Sequence, residues 1–206
     1  MDCTETISWY DANAPTLVNN YERLSAERVH GWVIDLLPNG GAAVLDVGAG
    51  SGRDAAWFAS RGYSVVAVEP AQGMREAGMR LHPHAEVRWI DDEMPSLDRV
   101  KQLGLTFDFI MLSAVWMHLP AQARPWAMRT LISLLNPEGT LAISLRYGPP
   151  NENRPGMHAV SEVEVEQLSQ VHAASVIRRA QSCDLERSQI SWVQLAIRPT
   201  YSNASR

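Results

Sequence analysis

Apolar and polar positions along this chain fall into segments of two kinds. Short apolar runs rich in β-branched residues predict five buried strands, at 43–47, 63–68, 86–90, 107–112 and 140–145. Longer segments, with apolar residues every three or four positions, predict helices at 16–37, 53–60, 71–81, 94–103 and 121–135. Because strands and helices alternate, we expect a parallel sheet with right-handed crossovers.

The C-terminal part of the chain has a different pattern. Ser161, with Glu164 three residues later, predicts a capped helix as far as about Gln170. Two β-rich runs, 175–182 and 190–197, then follow one another without a helix and predict an antiparallel hairpin. We therefore expect an α/β fold in which a mostly parallel sheet ends in an antiparallel pair.

A glycine-rich turn lies between the first strand and the next helix, in the segment AAVLDVGAGSGRDAAWFA. Its glycines, Gly48, Gly50 and Gly52, would let a ligand approach bare backbone. A dinucleotide fingerprint would need a small residue where Arg53 stands. Asp46, just before the glycines, would repel a pyrophosphate and favours a ligand that carries positive charge.

Three segments carry a resemblance to a known family. VLDVGAGSGR resembles the first motif of the class I S-adenosylmethionine-dependent methyltransferases, FDFIMLSAVWMHLP resembles their fourth motif, and LLNPEGTLAISL resembles the approach to their fifth strand. The resemblance extends from about Trp9 to Arg198. It implies a Rossmann-like, seven-stranded sheet with helices on both faces, and methyl transfer from S-adenosyl-L-methionine with S-adenosyl-L-homocysteine as product.

The segment SLRYGPPNENRPGMHAVSEVE is similar to the loop after strand five in small bacterial single-domain enzymes of methyltransferase types 11 and 25. The resemblance implies one domain over residues 1–198. Within it we expect a helical lid at 1–38, a cofactor-binding core at 42–145, and an acceptor-side loop, helix and hairpin at 146–198. Residues 199–206 are expected to form a frayed tail.

Candidate cofactor residues lie at the ends of the predicted strands. Glu69 follows the glycine turn by about 20 residues, where an acid binds a ribose; the alternative is an acid stabilised by a helix dipole. Arg53 could reach the methionine carboxylate or face solvent. The resemblance places Asp46 near the methionine end. The full set of cofactor-binding candidates is Asp46, Gly48, Ala49, Gly50, Gly52, Arg53, Glu69, Pro70, Met74, Asp91, Asp92, Ser113 and Ala114.

Several members of that set have a competing interpretation. Met74 could cover the adenine face or pack in the core. In similar methyltransferases an acid at this strand end accepts the adenine amino group, so the resemblance implies that role for Asp91 or Asp92, although adjacent acids also occur in solvated turns. Ser113 and Ala114 would present backbone atoms to the cofactor.

The methyl acceptor is expected on the side of the fourth and fifth strands. His118 is the candidate general base, because its ordinary pKa lies near neutrality; the alternative is a packing role. Acceptor-binding candidates are Trp9, Tyr10 and Tyr21 from the N-terminal segment and Trp116, Arg146 and Tyr147 from the strand ends. Arg146 favours an acceptor with a carboxylate or phosphate, unless it pairs with Asp184 or Glu162 to brace the loop.

Composition narrows the function classes. The formal charge is −5 without a basic block, so binding to nucleic acid is disfavoured. Two cysteines provide neither a disulfide framework nor a metal site, and no apolar run predicts a membrane span or a signal peptide. We expect a cytoplasmic, monomeric or homodimeric enzyme acting on a small molecule. The alternatives are a protein or RNA methyltransferase, a non-catalytic cofactor-binding module, or a nicotinamide dehydrogenase.

Overall fold

Seven strands form the centre of the protein, which a computed structural model describes over residues 3–149 and 154–200. The strands are β1 (Ala43–Val47), β2 (Ser64–Val68), β3 (Val87–Ile90), β4 (Phe107–Leu112), β5 (Leu135–Tyr147), β6 (Ala174–Cys183) and β7 (Ser191–Pro199). They form one sheet in the order β3-β2-β1-β4-β5-β7-β6. The first five strands are parallel, and β7 is antiparallel to both β5 and β6. The predicted seven-stranded sheet with its antiparallel hairpin is confirmed.

Seven α-helices surround this sheet: α1 (Cys3–Tyr21), α2 (Ala26–His30), α3 (Arg53–Ser60), α4 (Gln72–Leu81), α5 (Asp98–Gln102), α6 (Arg124–Ser133) and α7 (Glu162–Val171). Short 3-10 helices occur at Ile34–Leu36, Trp116–His118 and Ala121–Ala123. Because the chain leaves β1 toward β2 and later returns on its other side at β4, the carboxyl ends of β1 and β4 flank the crevice where α/β sheets bind ligands.

Alternate residues of the central strands face opposite sides of the sheet, and both sides are buried. Leu45 of β1 packs in the cluster that contains Met128 of α6. Its neighbour Val44 packs in the opposite cluster, with Phe58 of α3. Apolar residues therefore occupy both faces of the same strand, which explains the continuous apolar runs in the sequence.

The N-terminal region differs most from the prediction. A single helix over 16–37 was wrong, because α1 begins at Cys3, continues through Pro15 and ends at Tyr21. Ser25 then starts α2, since its hydroxyl accepts a hydrogen bond from the Arg28 amide at 3.3 Å. Burial of one face of α1 against α4 stabilises a helix whose first half has little apolar periodicity, in a cluster formed by Ala14, Leu17, Val18, Ala71, Met74 and Ala77.

Other bounds shift by smaller amounts. β5 begins at Leu135 rather than at residue 140, with an irregularity in its pairing with β4 between Phe107 and Phe109. That irregularity accommodates Asn136–Gly139, which directly follow the predicted helix 121–135. α5 and α6 are shorter than expected. Pro199, predicted to begin a frayed tail, is the last residue of β7; residues 201–206 lie outside the described residues.

Candidate active site

A cavity of about 500 Å³ opens at the carboxyl ends of β1, β2, β4 and β5. This volume lies within the range typical of small-molecule sites. Helix α1, the turn after β1, the loop after β4 and the β6–β7 hairpin all contribute residues to its wall. The crevice predicted by the sheet topology is therefore a formed cavity.

Thirteen of the twenty predicted site residues line this cavity. They are Tyr10, Tyr21, Gly48, Ala49, Gly50, Arg53, Glu69, Pro70, Asp92, Ser113, Ala114, His118 and Arg146. The structure places the other seven behind the wall or elsewhere: Trp9, Asp46, Gly52, Met74, Asp91, Trp116 and Tyr147.

The glycine turn presents its backbone to the cavity at Gly48 and Gly50. Both have positive φ, +72° and +56°, which an L side chain rarely adopts. A Cβ on Gly48 would stand 2.5 Å from Cγ2 of Val115, so a side chain has no room there. The Gly50 amide donates to Oε2 of Glu69 at 2.8 Å. The turn is thus fixed both by its conformation and by the acid at the end of β2.

Gly52 has a different role from the one predicted. It lies outside the cavity wall, and a Cβ there would stand 2.8 Å from Cζ2 of Trp89 on β3. With φ of +80°, it starts α3 and lets the helix pack closely on that indole. Three evenly spaced glycines therefore divide into two that face the ligand side and one that serves packing.

Glu69 lines the cavity but is only 7% exposed. Its two oxygens accept hydrogen bonds from backbone amides, Oε2 from Gly50 and Oε1 from Ala71 at 2.9 Å. Burial raises the pKa of Glu69 to about 7, against the opposing effect of these two bonds and of Arg75. A buried carboxylate at this strand end can still accept hydrogen bonds from vicinal hydroxyls through its remaining lone pairs.

Asp46 lies beneath the glycine turn and not in the cavity wall. It is 1% exposed, and its Oδ2 atom has no hydrogen-bond partner. Burial, together with the nearby charge of Asp54, raises its pKa well above the usual range. Asp46 therefore lies beneath the turn, and its position near the methionine end of the cofactor, which the resemblance implies, stays a prediction.

Arg53 belongs to a network that the sequence did not indicate. Its Nε donates to Oδ1 of Asp54 at 2.7 Å, and its Nη1 donates to the carbonyl of Tyr21 at 3.2 Å. Oδ2 of Asp54 lies 2.8 Å from Nε2 of His30, and all three side chains line the cavity. Burial opposes ionisation of Asp54, but contacts with His30 and Arg53 outweigh it and lower its pKa. The network joins α1, α2 and α3 beside the glycine turn.

Asp91 and Asp92, left undecided by the sequence, have different surroundings. Asp91 is exposed and lies 3.5 Å from Arg75 and 3.4 Å from Arg99. Asp92 lines the cavity, but its oxygens accept from the backbone amides of Glu93 and Val100, each at 2.9 Å. Asp92 is therefore the one of the two acids that a ligand could meet.

His118 joins the two segments that cover the cavity. Its Nε2 lies 3.0 Å from the Tyr10 hydroxyl of α1, and its Nδ1 lies 3.1 Å from the carbonyl oxygen of Gly156. If Nδ1 carries the hydrogen and donates it to that carbonyl, Nε2 accepts from Tyr10. Burial lowers the pKa of His118 to about 4, so the ring is neutral at pH 7. Burial also raises the pKa of Tyr10, which keeps its hydroxyl protonated.

Four predicted ligand contacts are packing residues in the structure. Trp116 is fully buried in the core, and its indole nitrogen has no hydrogen-bond partner. Met74 is also fully buried, between α1 and α4. The hydroxyl of Tyr147 accepts from the Glu162 amide at 3.0 Å and so fixes the start of α7. Trp9 packs edge-on against Tyr10 within α1, with ring centroids 5.3 Å apart.

Arg146 lies in the half of the cavity opposite Glu69, next to the β6–β7 hairpin. Its side chain forms no hydrogen bond or ion pair with any residue in the described ranges. The predicted alternative, a brace to Asp184 or Glu162, was wrong: Asp184 pairs with Arg187 at 2.7 Å and Glu162 with Arg179 at 2.8 Å. Burial, and then the charges of Arg187 and Arg154, lower the pKa of Arg146.

Two further arginines of the cavity wall complete this cluster. The Arg154 guanidinium lies 5.0 Å from the ring centroid of Trp9 and 5.2 Å from that of Tyr10, while its Nε is buried without a partner. Arg187 is held by Asp184 in the turn between β6 and β7. Trp192 and Gln194 of β7 line the same half. The sequence placed Trp192 in or beside the terminal hairpin but did not indicate Gln194. Alternation along the strand, inward at 192 and 194, was the available signal.

Two further properties concern metals and membranes. Within residues 3–149 and 154–200, no group of three or more His, Cys, Asp and Glu side chains is arranged to hold a metal ion. Across the same ranges, no helix combines the length and apolar character needed to cross a membrane.

Comparison with known proteins identifies similar sequences. A family profile described as a methyltransferase domain matches residues 20–186. An uncharacterized methyltransferase of Alkaliphilus oremlandii is 30% identical over 100 residues, which is 48% of this chain and 44% of that protein. The biotin biosynthesis bifunctional protein BioHC of Cellvibrio japonicus is 34% identical over 101 residues, 49% of this chain and 19% of that protein. The matches thus span less than half the length of these curated relatives.

Solved structures share the fold at low sequence identity. A 1,6-didemethyltoxoflavin-N1-methyltransferase of Burkholderia thailandensis, crystallised with its substrate and S-adenosylhomocysteine, has a TM-score of 0.74 at 20% identity, covering 98% of this chain and 92% of that one. The magnesium protoporphyrin IX methyltransferase of Synechocystis PCC 6803, with bound S-adenosylmethionine, has a TM-score of 0.63 at 17% identity, covering 93% and 80%. A putative methyltransferase of Haloferax volcanii, in complex with the activator Trm112, has a TM-score of 0.71 at 13% identity, covering 92% and 97%.

Proposed function

The chain belongs to the class I S-adenosylmethionine-dependent methyltransferases, and from this premise we propose that it methylates a small-molecule acceptor that carries an anionic group. The observation that carries the proposal is the division of one cavity into two unlike halves. One half has bare glycine backbone beside the buried carboxylate of Glu69, and the other contains Arg146 without a partner among the described residues.

The residues of the first half fit the cofactor. Gly48 and Gly50 leave backbone accessible, and Glu69 offers a carboxylate at the strand end where ribose hydroxyls are bound in such folds. Arg53 is near enough to the turn to approach a carboxylate, although it would then loosen its bond to Asp54. Ala49, Pro70, Asp92, Ser113 and Ala114 supply further wall around this half. When bound, the cofactor supplies a methyl group activated by a sulfonium, and the protein has to align it and exclude water.

The second half would hold the acceptor. A guanidinium that has no partner among the described residues can bind a carboxylate or phosphate through two parallel hydrogen bonds. Small size also fits, since Tyr10, Tyr21 and Arg154 line a cavity of about 500 Å³. In this proposal residues 1–38 act as a lid, 42–145 bind the cofactor, and 146–198 bind the acceptor.

In this proposal His118 is the base and acts through Tyr10, even though burial lowers its pKa to about 4 and makes it a weak base in the free protein. The neutral ring accepts the Tyr10 hydrogen at Nε2. An acceptor O–H or N–H that attacks the methyl would give its proton to the Tyr10 oxygen, while Tyr10 gives its own proton to His118. The imidazolium that results would still donate through Nδ1 to Gly156.

Calorimetric titration of S-adenosylhomocysteine tests the cofactor half. We expect the wild type to bind and Glu69→Gln to bind about 100-fold more weakly, because the amide accepts hydrogen bonds poorly and disturbs the Gly50 contact. Glu76→Gln is the matched control, since that acid is exposed on α4. Absence of binding by the wild type would contradict the proposal.

The same titration has an expected pH dependence. The pKa of Glu69 is raised to about 7, so the carboxylate form becomes dominant only above that pH. Binding by the wild type should therefore tighten between pH 6 and pH 8, whereas Glu69→Gln should bind equally at both. A flat profile in the wild type would argue against ribose binding by this carboxylate.

A further inference from the structure

The floor of the acceptor half is built by matching positions of three adjacent strands. Ser144 of β5, Gln194 of β7 and Ala180 of β6 are paired across the sheet in one row. Arg146, Trp192 and Ser182 form the next row toward the hairpin turn. All six residues line the cavity, as residues two apart on a strand share one face.

The row of Ser144, Gln194 and Ala180, here called the inner row, contains an oxygen atom that could accept a hydrogen bond but has no donor. Gln194 is 6% exposed, and its Nε2 donates to Oγ of Ser182 at 2.8 Å. This leaves Oε1 of Gln194 buried and without a hydrogen-bond partner. Buried polar atoms are seldom left unpaired, and those that are commonly await a ligand or water. An N–H or O–H group of a bound molecule would satisfy it.

The row of Arg146, Trp192 and Ser182, here called the outer row, combines a guanidinium with an indole ring that is held in place. Arg146 has no partner in the described ranges, and Trp192 stands beside it on the neighbouring strand. The Trp192 indole is held in place because its Nε1 donates to Oδ2 of Asp184 at 2.9 Å. Asp184 is in turn held by Arg187, and these contacts outweigh burial to lower its pKa. A rigid indole favours a flat molecule lying against it.

From these two rows we propose that the acceptor is a planar organic acid with an N–H or O–H group on the side opposite its acid group. Arg146 would bind the acid, Trp192 would pack against the ring, and Oε1 of Gln194 would accept the hydrogen bond. The rows lie roughly 6–7 Å apart, which is close to the length of a para-substituted benzene ring. This inference rests on the proposed function, because the site it describes is the acceptor half of the same cavity.

The inner row is also the one nearer the cofactor half. Oγ of Ser144 accepts from the Ala114 amide at 2.8 Å, in the loop after β4 that borders both halves. The donor group on Gln194 would therefore lie on the side from which the methyl group comes. This orientation makes Gln194 a specificity residue that positions the nucleophilic end of the acceptor.

Binding of para-hydroxybenzoate, measured with S-adenosylhomocysteine already bound, tests the inference. Two probes differ from it by one group each: para-hydroxybenzamide lacks the charge and benzoate lacks the hydroxyl. We expect the acid to bind the wild type at millimolar concentration and the amide to bind roughly tenfold more weakly. Benzoate should also bind roughly tenfold more weakly, because Oε1 of Gln194 stays unpaired.

Two variants test the proposed contacts of Arg146 and Gln194 one at a time. Arg146→Gln should abolish the preference for the acid over the amide, and Gln194→Met should abolish the preference for the hydroxylated acid over benzoate. Arg80→Gln, on the exposed surface of α4, should change neither preference. A structural role would weaken all probes alike and would leave the preferences intact.

Failure of this inference can be distinguished from failure of the proposed function. If S-adenosylhomocysteine does not bind, the proposed function fails. If it binds while acid and amide bind equally, or while the acid does not bind at millimolar concentration, the inference fails and the cofactor assignment stands.

Discussion

The two halves of the cavity differ in how completely the protein satisfies its own polar groups. On the glycine-turn side, Glu69 accepts from Gly50 and Ala71, and Arg53 bonds to Asp54 and Tyr21. On the hairpin side, the guanidinium of Arg146 and the buried atoms Nε of Arg154 and Oε1 of Gln194 have no hydrogen-bond partner among the described residues. Oδ2 of Asp46, beneath the glycine turn, is also unpaired, but Asp46 does not line the cavity. The wall of the first half is therefore preorganised by its own contacts, whereas the wall of the second is left for a ligand to complete.

This difference indicates where stability and where specificity reside. A preorganised half loses little entropy when it binds a constant cofactor. A half with unpaired groups discriminates between ligands, because a molecule that fails to pair them leaves a buried polar group unsatisfied. Substitutions on the glycine-turn side should therefore change folding, and those on the hairpin side should change ligand preference.

The largest expected effect is on stability at the glycine-turn side. Gly52→Ala should lower the free energy of unfolding by about 2–4 kcal/mol, because the added Cβ combines an unfavourable positive φ with a clash against Trp89. Urea denaturation measures this change. Gly40→Ala is the control, since no atom lies closer than 4.0 Å to a Cβ there and no change above about 0.5 kcal/mol is expected. If the two variants are equally stable, the packing role assigned to Gly52 is contradicted.

An effect limited to acidic pH is expected at His118, whose ring contacts the Tyr10 hydroxyl of α1. Its folded-state pKa of about 4 lies below the ordinary value of 6.5, so the unfolded chain binds the proton first as the pH falls. Stability contributed by the neutral ring is complete above about pH 6.5 and is lost progressively as the pH falls to 4, by about 3 kcal/mol at pH 4.

Urea denaturation at several pH values measures this loss, and His118→Gln should reduce it. His84→Gln, a substitution of an exposed histidine, should retain the wild-type profile. If both variants retain it, the buried contact between Tyr10 and His118 does not govern the pH dependence.

The smallest effect on stability is expected at Arg146. Arg146→Gln should change the free energy of unfolding by less than about 0.5 kcal/mol, because the guanidinium has no partner to lose among the described residues. Chemical denaturation of the free protein is the measurement. A loss of 2 kcal/mol or more would mean that Arg146 braces the fold, and the contrast between the two halves would disappear.

The sequence predicted the parts of this structure that depend on local pattern. The alternation of strands and helices, the glycine turn and the spacing to Glu69 all follow from short segments, and the sheet confirms the fold. Trp116 and Tyr147 were expected in the site because they follow strands; the structure buries one and uses the other to start α7. Which side a residue faces after a strand ends depends on tertiary packing, and no local pattern records it.

The hairpin shows the same limit more clearly. Gln194 and Trp192 enter the site only because β7 pairs with β5 in a register that sets them beside Ser144 and Arg146. Two β-rich runs predict a hairpin but leave open which neighbour it pairs with and in what register. The half of the cavity that decides specificity is therefore the half that sequence reasoning described least.

A crystal structure of the complex with S-adenosylhomocysteine tests the division of the cavity most directly. The account predicts that the ribose hydroxyls lie within hydrogen-bond distance of the Glu69 carboxylate, with the sulfur directed toward the half that contains Arg146 and Gln194. Adenosine bound against Arg146 and Trp192, with Glu69 still contacting only its own backbone, would contradict it.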